Sequence, residues 1–165
     1  MYFITICVHD RLNLFGEIIN NVISLNDAGK MIDLHWNKLI NRFPNIELDD
    51  YIIMPNHLHG IITIVGVPLV GTQNNNIQHE QLHKGQPQGI APTTTKKTVG
   101  EMIGAFKSVT TNEYINNVKC YNWQPFNHKL WQRNYYEHII RNEKSYIRIS
   151  EYTGGILIFG FYMKF

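Results

Sequence analysis

Cysteine is scarce in this chain of 165 residues: there are two, Cys7 and Cys120, far apart and without a CxxC spacing. Neither a zinc knuckle nor a disulfide framework is indicated, and a reducing cytoplasm is the expected compartment. A dominant charge is also missing, since 15 Lys and Arg face 13 Asp and Glu for a net charge of +2. Charge balance alone therefore does not announce a polyanionic partner. No apolar run reaches the roughly 20 residues needed to span a bilayer. The start, Met1-Tyr2-Phe3-Ile4-Thr5-Ile6-Cys7-Val8, lacks the basic head of a signal peptide, so a soluble protein with no membrane partner is expected. What is present is a hydrophobic share of 44%, with eight histidines and nine tyrosines, many for this length. Residues 1–165 suit one domain with a sizeable core.

Residues 2 to 8 are mostly β-branched or aromatic and read as a strand. Asn26 or Asp27 can cap a helix whose apolar positions Ile32, Trp36, Leu39, Ile40 and Phe43 recur at three and four residues, ending before Pro44. Ile46 to Leu48 with Asp50 to Met54, and His57 to Val65 after a kink at Pro55-Asn56, together look like two closely joined strands. From about 66 to 95 the chain is rich in turn formers and amides and reads as a mobile loop. Thr98 and Glu101 have capping-box spacing at the head of a helix with Val99, Met102, Ile103, Phe106 and Val109 on one face. Lys129 to Arg133 reads as another strand, Tyr135 to Arg141 and Glu143 to Tyr152 as helices. Strand, helix, two strands, helix, strand, helix is the order of an α+β, ferredoxin-like sandwich, an antiparallel sheet with helices packed on one face.

Within that order one short run carries chemistry. Alternation along a strand sends His57 and His59 of Met54-Pro55-Asn56-His57-Leu58-His59-Gly60 to one face while Leu58 points toward a core. Two imidazoles on neighbouring same-face positions are a pair of metal ligands that leaves other coordination positions open. A strand end that merely carries two histidines is the plainer alternative. Arg11, Lys107 and Arg133, with Lys96 and Lys97 at a helix start, are candidate phosphate contacts or simply solvated cations.

Taken together, these blocks resemble the single-tyrosine HUH transposases, in particular the REP-associated tyrosine transposases. The likeness rests on Tyr2-Phe3-Ile4-Thr5-Ile6 leading to Leu14-Phe15-Gly16, on the His57-Leu58-His59 block, on Ile103 to Lys107, and on Leu130 to Glu143 with a late helical tyrosine. It implies a ferredoxin-like fold that cuts and rejoins single-stranded DNA at hairpin-flanked sites. A divalent ion, Mg2+ or Mn2+, held by His57 and His59 would polarise the scissile phosphate, while a tyrosine attacks phosphorus and retains the 5′ phosphate. By position that tyrosine is Tyr152. Related enzymes work as homodimers, and REP-associated forms can act alone.

The chain departs from the family pattern in its tail, 153–165. The place four residues after the tyrosine, usually a polar group able to complete the metal shell, holds Ile156, and the usual Asn-Pro is absent. Gly154 and Gly155 are expected to end the last helix just after Tyr152. A catalytically degenerate copy that only binds DNA hairpins is the alternative expectation, and a metal-dependent hydrolase using water as nucleophile is a third.

Overall fold

The computed structural model describes residues 1–65 and 98–155. The loop expected at about 66–95, Lys96, Lys97, Ile156 and the rest of the tail lie outside the described residues.

Among the described residues, ten strands and α-helices follow in order: β1 (Tyr2–Cys7), β2 (Gly16–Ile19), β3 (Val22–Leu25), α1 (Asp27–Asn37), α2 (Leu39–Arg42), β4 (Ile46–Met54), β5 (His57–Ile64), α3 (Val99–Tyr121), β6 (Tyr136–Ile139) and α4 (Glu143–Gly155). Four strands form one sheet in the order β4-β5-β1-β6, every neighbour antiparallel. This is the split β-α-β arrangement expected from the sequence.

Local chemistry accounts for the elements that were foreseen. Asn26 caps α1, its Oδ1 accepting from Gly29 N at 2.9 Å, and the helical path breaks at Lys38 and ends before Pro44. Thr98 and Glu101 form the reciprocal capping box of α3. One correction falls on the face of α3: Val109 is 37% exposed, and Thr110 and Tyr114 continue the buried stripe instead.

Strand alternation divides the core. Ile4, Ile6, Leu58 and Ile62 point to the side covered by α1 and α3, where Trp36, Met102 and Phe106 are buried. Phe3 and Ile61 point the other way and meet Ile140 with Tyr146, Ile149 and Tyr152 of α4. Helices therefore cover both faces, where the sequence suggested one. Gly60 is required by the first layer, because a Cβ there would overlap the Trp36 indole.

Three further corrections concern segments read from short patterns. The strand expected at 129–133 is only a bridge between Val8 and Trp131, and the helix expected at 135–141 contains β6. The free edge of β1 explains both: its far end bonds Leu130 to Gln132 through His9 N, Cys7 O and Val8, and residues 136–139 then take Tyr2 to Thr5. The β2–β3 hairpin was not anticipated. It turns at Asn20 and Asn21, both at positive φ, the backbone of a two-residue hairpin turn in which Asn is well tolerated. Finally, α4 does not stop at Tyr152 but runs through Gly155. Thr153 is buried, and its hydroxyl donates to Ile149 O at 2.8 Å; packing of this face holds the turn against the glycines' low helix propensity. Among the described residues no helix is long and apolar enough to cross a membrane.

Candidate active site

Register builds the site. The β1–β5 ladder sets Thr5 opposite His59 and Cys7 opposite His57, and the β4–β5 ladder sets Met54 opposite His57. On the other edge of β1, Tyr136 lies opposite Thr5. His59, Thr5 and Tyr136 thus form one row across three strands, and Met54, His57 and Cys7 the next. Both rows line a cavity of about 670 Å³, which Arg11, Asn13, Gln132, Asn134 and Tyr152 also border.

The two imidazoles meet edge to edge, His57 Nε2 and His59 Nε2 lying 3.0 Å apart. Each ring is fixed from behind. Asn56 Nδ2 donates to Arg11 O at 3.3 Å, which turns Asn56 Oδ1 toward His57 Nδ1 at 2.6 Å. An amide oxygen only accepts, so His57 Nδ1 carries the proton and its Nε2 keeps a lone pair. His59 Nδ1 lies 2.8 Å from Thr5 Oγ1, a hydroxyl that can donate or accept. His59 is 1% exposed and stacks on Phe3 at 5.3 Å between ring centroids. Burial, then the nearby Arg11 charge, pushes His57 down to about 4. Burial, then His57 and Arg11, pushes His59 down to about 3. Both rings are neutral near pH 7, the form that ligates metal.

This donor set fits a divalent cation. Two ligands at right angles, each about 2.1 Å from an ion, lie about 3.0 Å apart, which is the Nε2 separation found. Binding requires both Nε2 lone pairs, so His59 must hold its proton on Nδ1 with Thr5 accepting it. The backing of each ring by an oxygen is the usual support for a metal-bound histidine. No group of three or more His, Cys, Asp or Glu side chains converges among the described residues, so of these residue types His57 and His59 are the two that could hold an ion here.

Tyr152 completes the constellation from the opposite element. Its ring meets the edge of His59 at 5.7 Å between centroids, and burial raises its phenol. The helix that carries it is tied to β4 where the ladder register shifts between Leu48 and Tyr51: Ser150 Oγ donates to Asp50 Oδ2, and Tyr146 hydrogen-bonds Asp49.

The expected phosphate-contacting cations separate. Arg11, at φ 55, borders the cavity and is close enough to bias both histidines. Lys107 is turned into the fold, donating to Gln132 O at 3.0 Å, Arg133 O at 3.4 Å and Asn134 O at 3.1 Å beneath the Tyr135 ring. Arg133 is exposed and away from the cavity lining. Sequence reasoning missed Thr5, Asn56, Asn13, Gln132 and Asn134. Asn56 adjoins the histidine pair, and Thr5, Gln132 and Asn134 lie inside blocks that carried the resemblance, yet their place at the site comes from strand pairing and a loop fold that no local pattern encodes.

No protein-family model matches the chain. Among solved structures it is similar to a protein from Deinococcus radiodurans R1 provisionally assigned as a transposase, with a TM-score of 0.49, 12% identity, and coverage of 94% of this chain and 88% of that one. It is also similar to a REP-associated tyrosine transposase bound to a REP hairpin, with a TM-score of 0.47, 18% identity, and coverage of 92% of this chain and 62% of that one. In sequence it is 40% identical over 151 residues to an uncharacterized protein of Haemophilus influenzae, spanning 92% of this chain and 76% of the relative. The chain belongs to the same family as that Haemophilus influenzae protein.

Proposed function

We propose that this protein is a metal-dependent transposase that cleaves and rejoins single-stranded DNA at hairpin-flanked sites through a 5′-phosphotyrosine. The observation that carries the reading is the convergence of His57, His59 and Tyr152 on one cavity from β5 and α4. It adds geometry to the sequence resemblance, which picked out His57 and His59 by motif and Tyr152 by position.

The protein's own groups have distinct tasks. His57 and His59 present neutral Nε2 atoms, held by Asn56 and Thr5. A divalent ion bound there supplies positive charge that polarises a phosphate and offsets charge developing on its oxygens. Tyr152 is the nucleophile: its phenolic oxygen forms a bond to phosphorus and gives its proton to water, while the bond from phosphorus to the 3′ oxygen breaks and that oxygen takes up a proton from water. The products are a 5′-phosphotyrosine and a free 3′ hydroxyl, and attack by a second 3′ hydroxyl reverses the step without an external energy source. Arg11 adds a fixed cation near the site. The tie of α4 to Asp49 and Asp50 holds the nucleophile in place, and misplacement of about 1 Å can cost on the order of a hundredfold in rate.

The test is covalent capture. Incubated with labelled hairpin DNA carrying single-stranded flanks and Mn2+, the protein is expected to form a denaturant-resistant adduct that is lost in Tyr152→Phe and in His59→Ala and suppressed by chelator. Hairpin binding without any adduct would replace this reading with a binding module that has lost its chemistry. Cleavage without protein-linked DNA would assign the nucleophile to water.

A further inference from the structure

Away from His57, His59 and Arg11, the cavity is lined more by neutral amides than by cations. Beyond the metal-ligand pair, its charged lining consists of Arg11 and Glu17, whereas Asn13, Gln132 and Asn134 contribute neutral amides. Its volume of about 670 Å³ lies within the roughly 300–1,000 Å³ of sites that enclose small organic ligands, enough for a nucleoside. Two of the amides are set on a stiffened segment. Lys107 Nζ gathers the carbonyls of residues 132, 133 and 134, and Gln132 N donates to Cys7 O at 2.9 Å, so these carbonyls and the Gln132 N–H are occupied, while Gln132 and Asn134 both border the cavity. Tyr136 stands in the same row as His59 and Thr5 and keeps 53% of its surface exposed.

Amides carry a donor and an acceptor on one planar group, the complement of a base edge, and an aromatic ring offers a face for stacking. Resting on the transposase reading above, we infer that the cavity reads one unpaired nucleobase of the DNA strand next to the phosphate at His57 and His59. Asn13, Gln132 and Asn134 address its edge and Tyr136 its face. The base must be unpaired, since pairing would occupy the edge that the amides address. The site selects where the strand is cut by the identity of a base, in addition to any recognition of the hairpin.

The experiment is a base scan of covalent capture. Each unpaired position of a hairpin oligonucleotide is replaced in turn by the four bases and by an abasic residue, and the rate of adduct formation is measured for the wild type, Asn13→Ala, Gln132→Ala and Asn134→Ala. Expected is one position at which base identity changes the rate by about tenfold to a hundredfold, the discrimination of a bidentate amide contact, with the abasic residue as poor as the worst base and the preference flattened in at least one variant. Adducts forming at rates indifferent to base at every unpaired position would overturn the inference while leaving the nucleophile assignment standing. So would a preference unaltered in all three variants. No adduct with any oligonucleotide would instead overturn the underlying function, and this inference with it. Should a variant fail to fold, the wild-type scan alone decides.

Discussion

Acid should unfold the metal-free protein through its histidine pair, by an amount the structure sets. An unfolded histidine titrates near 6.5, whereas burial and Arg11 hold His57 at about 4 and burial, His57 and Arg11 hold His59 at about 3. Because both folded values lie below the unfolded one, the unfolded chain binds protons first as pH falls. The stabilisation is complete above about pH 6.5 and is withdrawn between there and the folded values. From about pH 7.5 to about pH 4.5 each ring accounts for about 2–3 kcal/mol, on the order of 5 kcal/mol together, comparable with the whole stability of a small domain. Urea unfolding in chelator across this interval measures it, with His57→Asn/His59→Gln as the reference that removes both titrations and leaves every carboxylate in place. The wild type should lose several kcal/mol more than the double variant. Parallel curves for the two proteins would refute the reasoning, since they would mean that the rings protonate as freely in the fold as in the unfolded chain. Mn2+ adds a second measurement: at about a hundred times its dissociation constant it should stabilise the wild type by about 2.7 kcal/mol near neutrality, fading as protons compete for the same Nε2 atoms, and leave the double variant unmoved.

Two further outcomes follow from packing. Gly60→Ala places a methyl group against the Trp36 indole and should cost about 1–3 kcal/mol of stability by overpacking, read as a lowered urea midpoint; an unchanged midpoint would show that the indole is free to shift. Lys107→Met removes the ammonium shared by three carbonyls and should cost about 1–3 kcal/mol, with faster hydrogen exchange around residues 132–134; weakened DNA affinity at unchanged stability would instead return Lys107 to the phosphate contacts suggested by its charge alone.

How far the sequence carried the fold depends on the range of the interactions involved. Caps and periodicity are local, so α1 with Asn26 and α3 with Thr98 and Glu101 were legible at their starts. Strand alternation is local as well, and it correctly separated His57 and His59 from Leu58. The segment 129–141 was misread because its neighbour decides its state: residues 135–141 satisfy a helical count, yet an open edge of β1 supplies hydrogen bonds to residues 136–139, and a tertiary partner outweighs propensities of a few tenths of a kcal/mol per residue. The β2–β3 hairpin did leave a trace, Asn20-Asn21 between two apolar stretches, the sort of pair that tolerates positive φ.

The site divides along the same line, and the division explains what kind of residue sequence reading misses. His57 and His59 are visible because strand alternation sets two imidazoles on one face, and Tyr152 because the family resemblance picks it out by position. Thr5 and Asn56 are ordinary residues whose value is positional: Thr5 matters because the β1–β5 register sets it opposite His59, and Asn56 because its amide is oriented by Arg11 O. These two decide which nitrogen of each ring bears a proton. Asn56 leaves His57 one arrangement, with Nε2 open; Thr5 leaves His59 two. Without a cation His59 can donate to His57 across the 3.0 Å gap, and with one it must accept the other tautomer, so the pair is satisfied in both states. A buried polar pair that remains hydrogen-bonded on its own avoids the penalty of unpaired buried groups, which explains how two buried neutral imidazoles persist in a sheet.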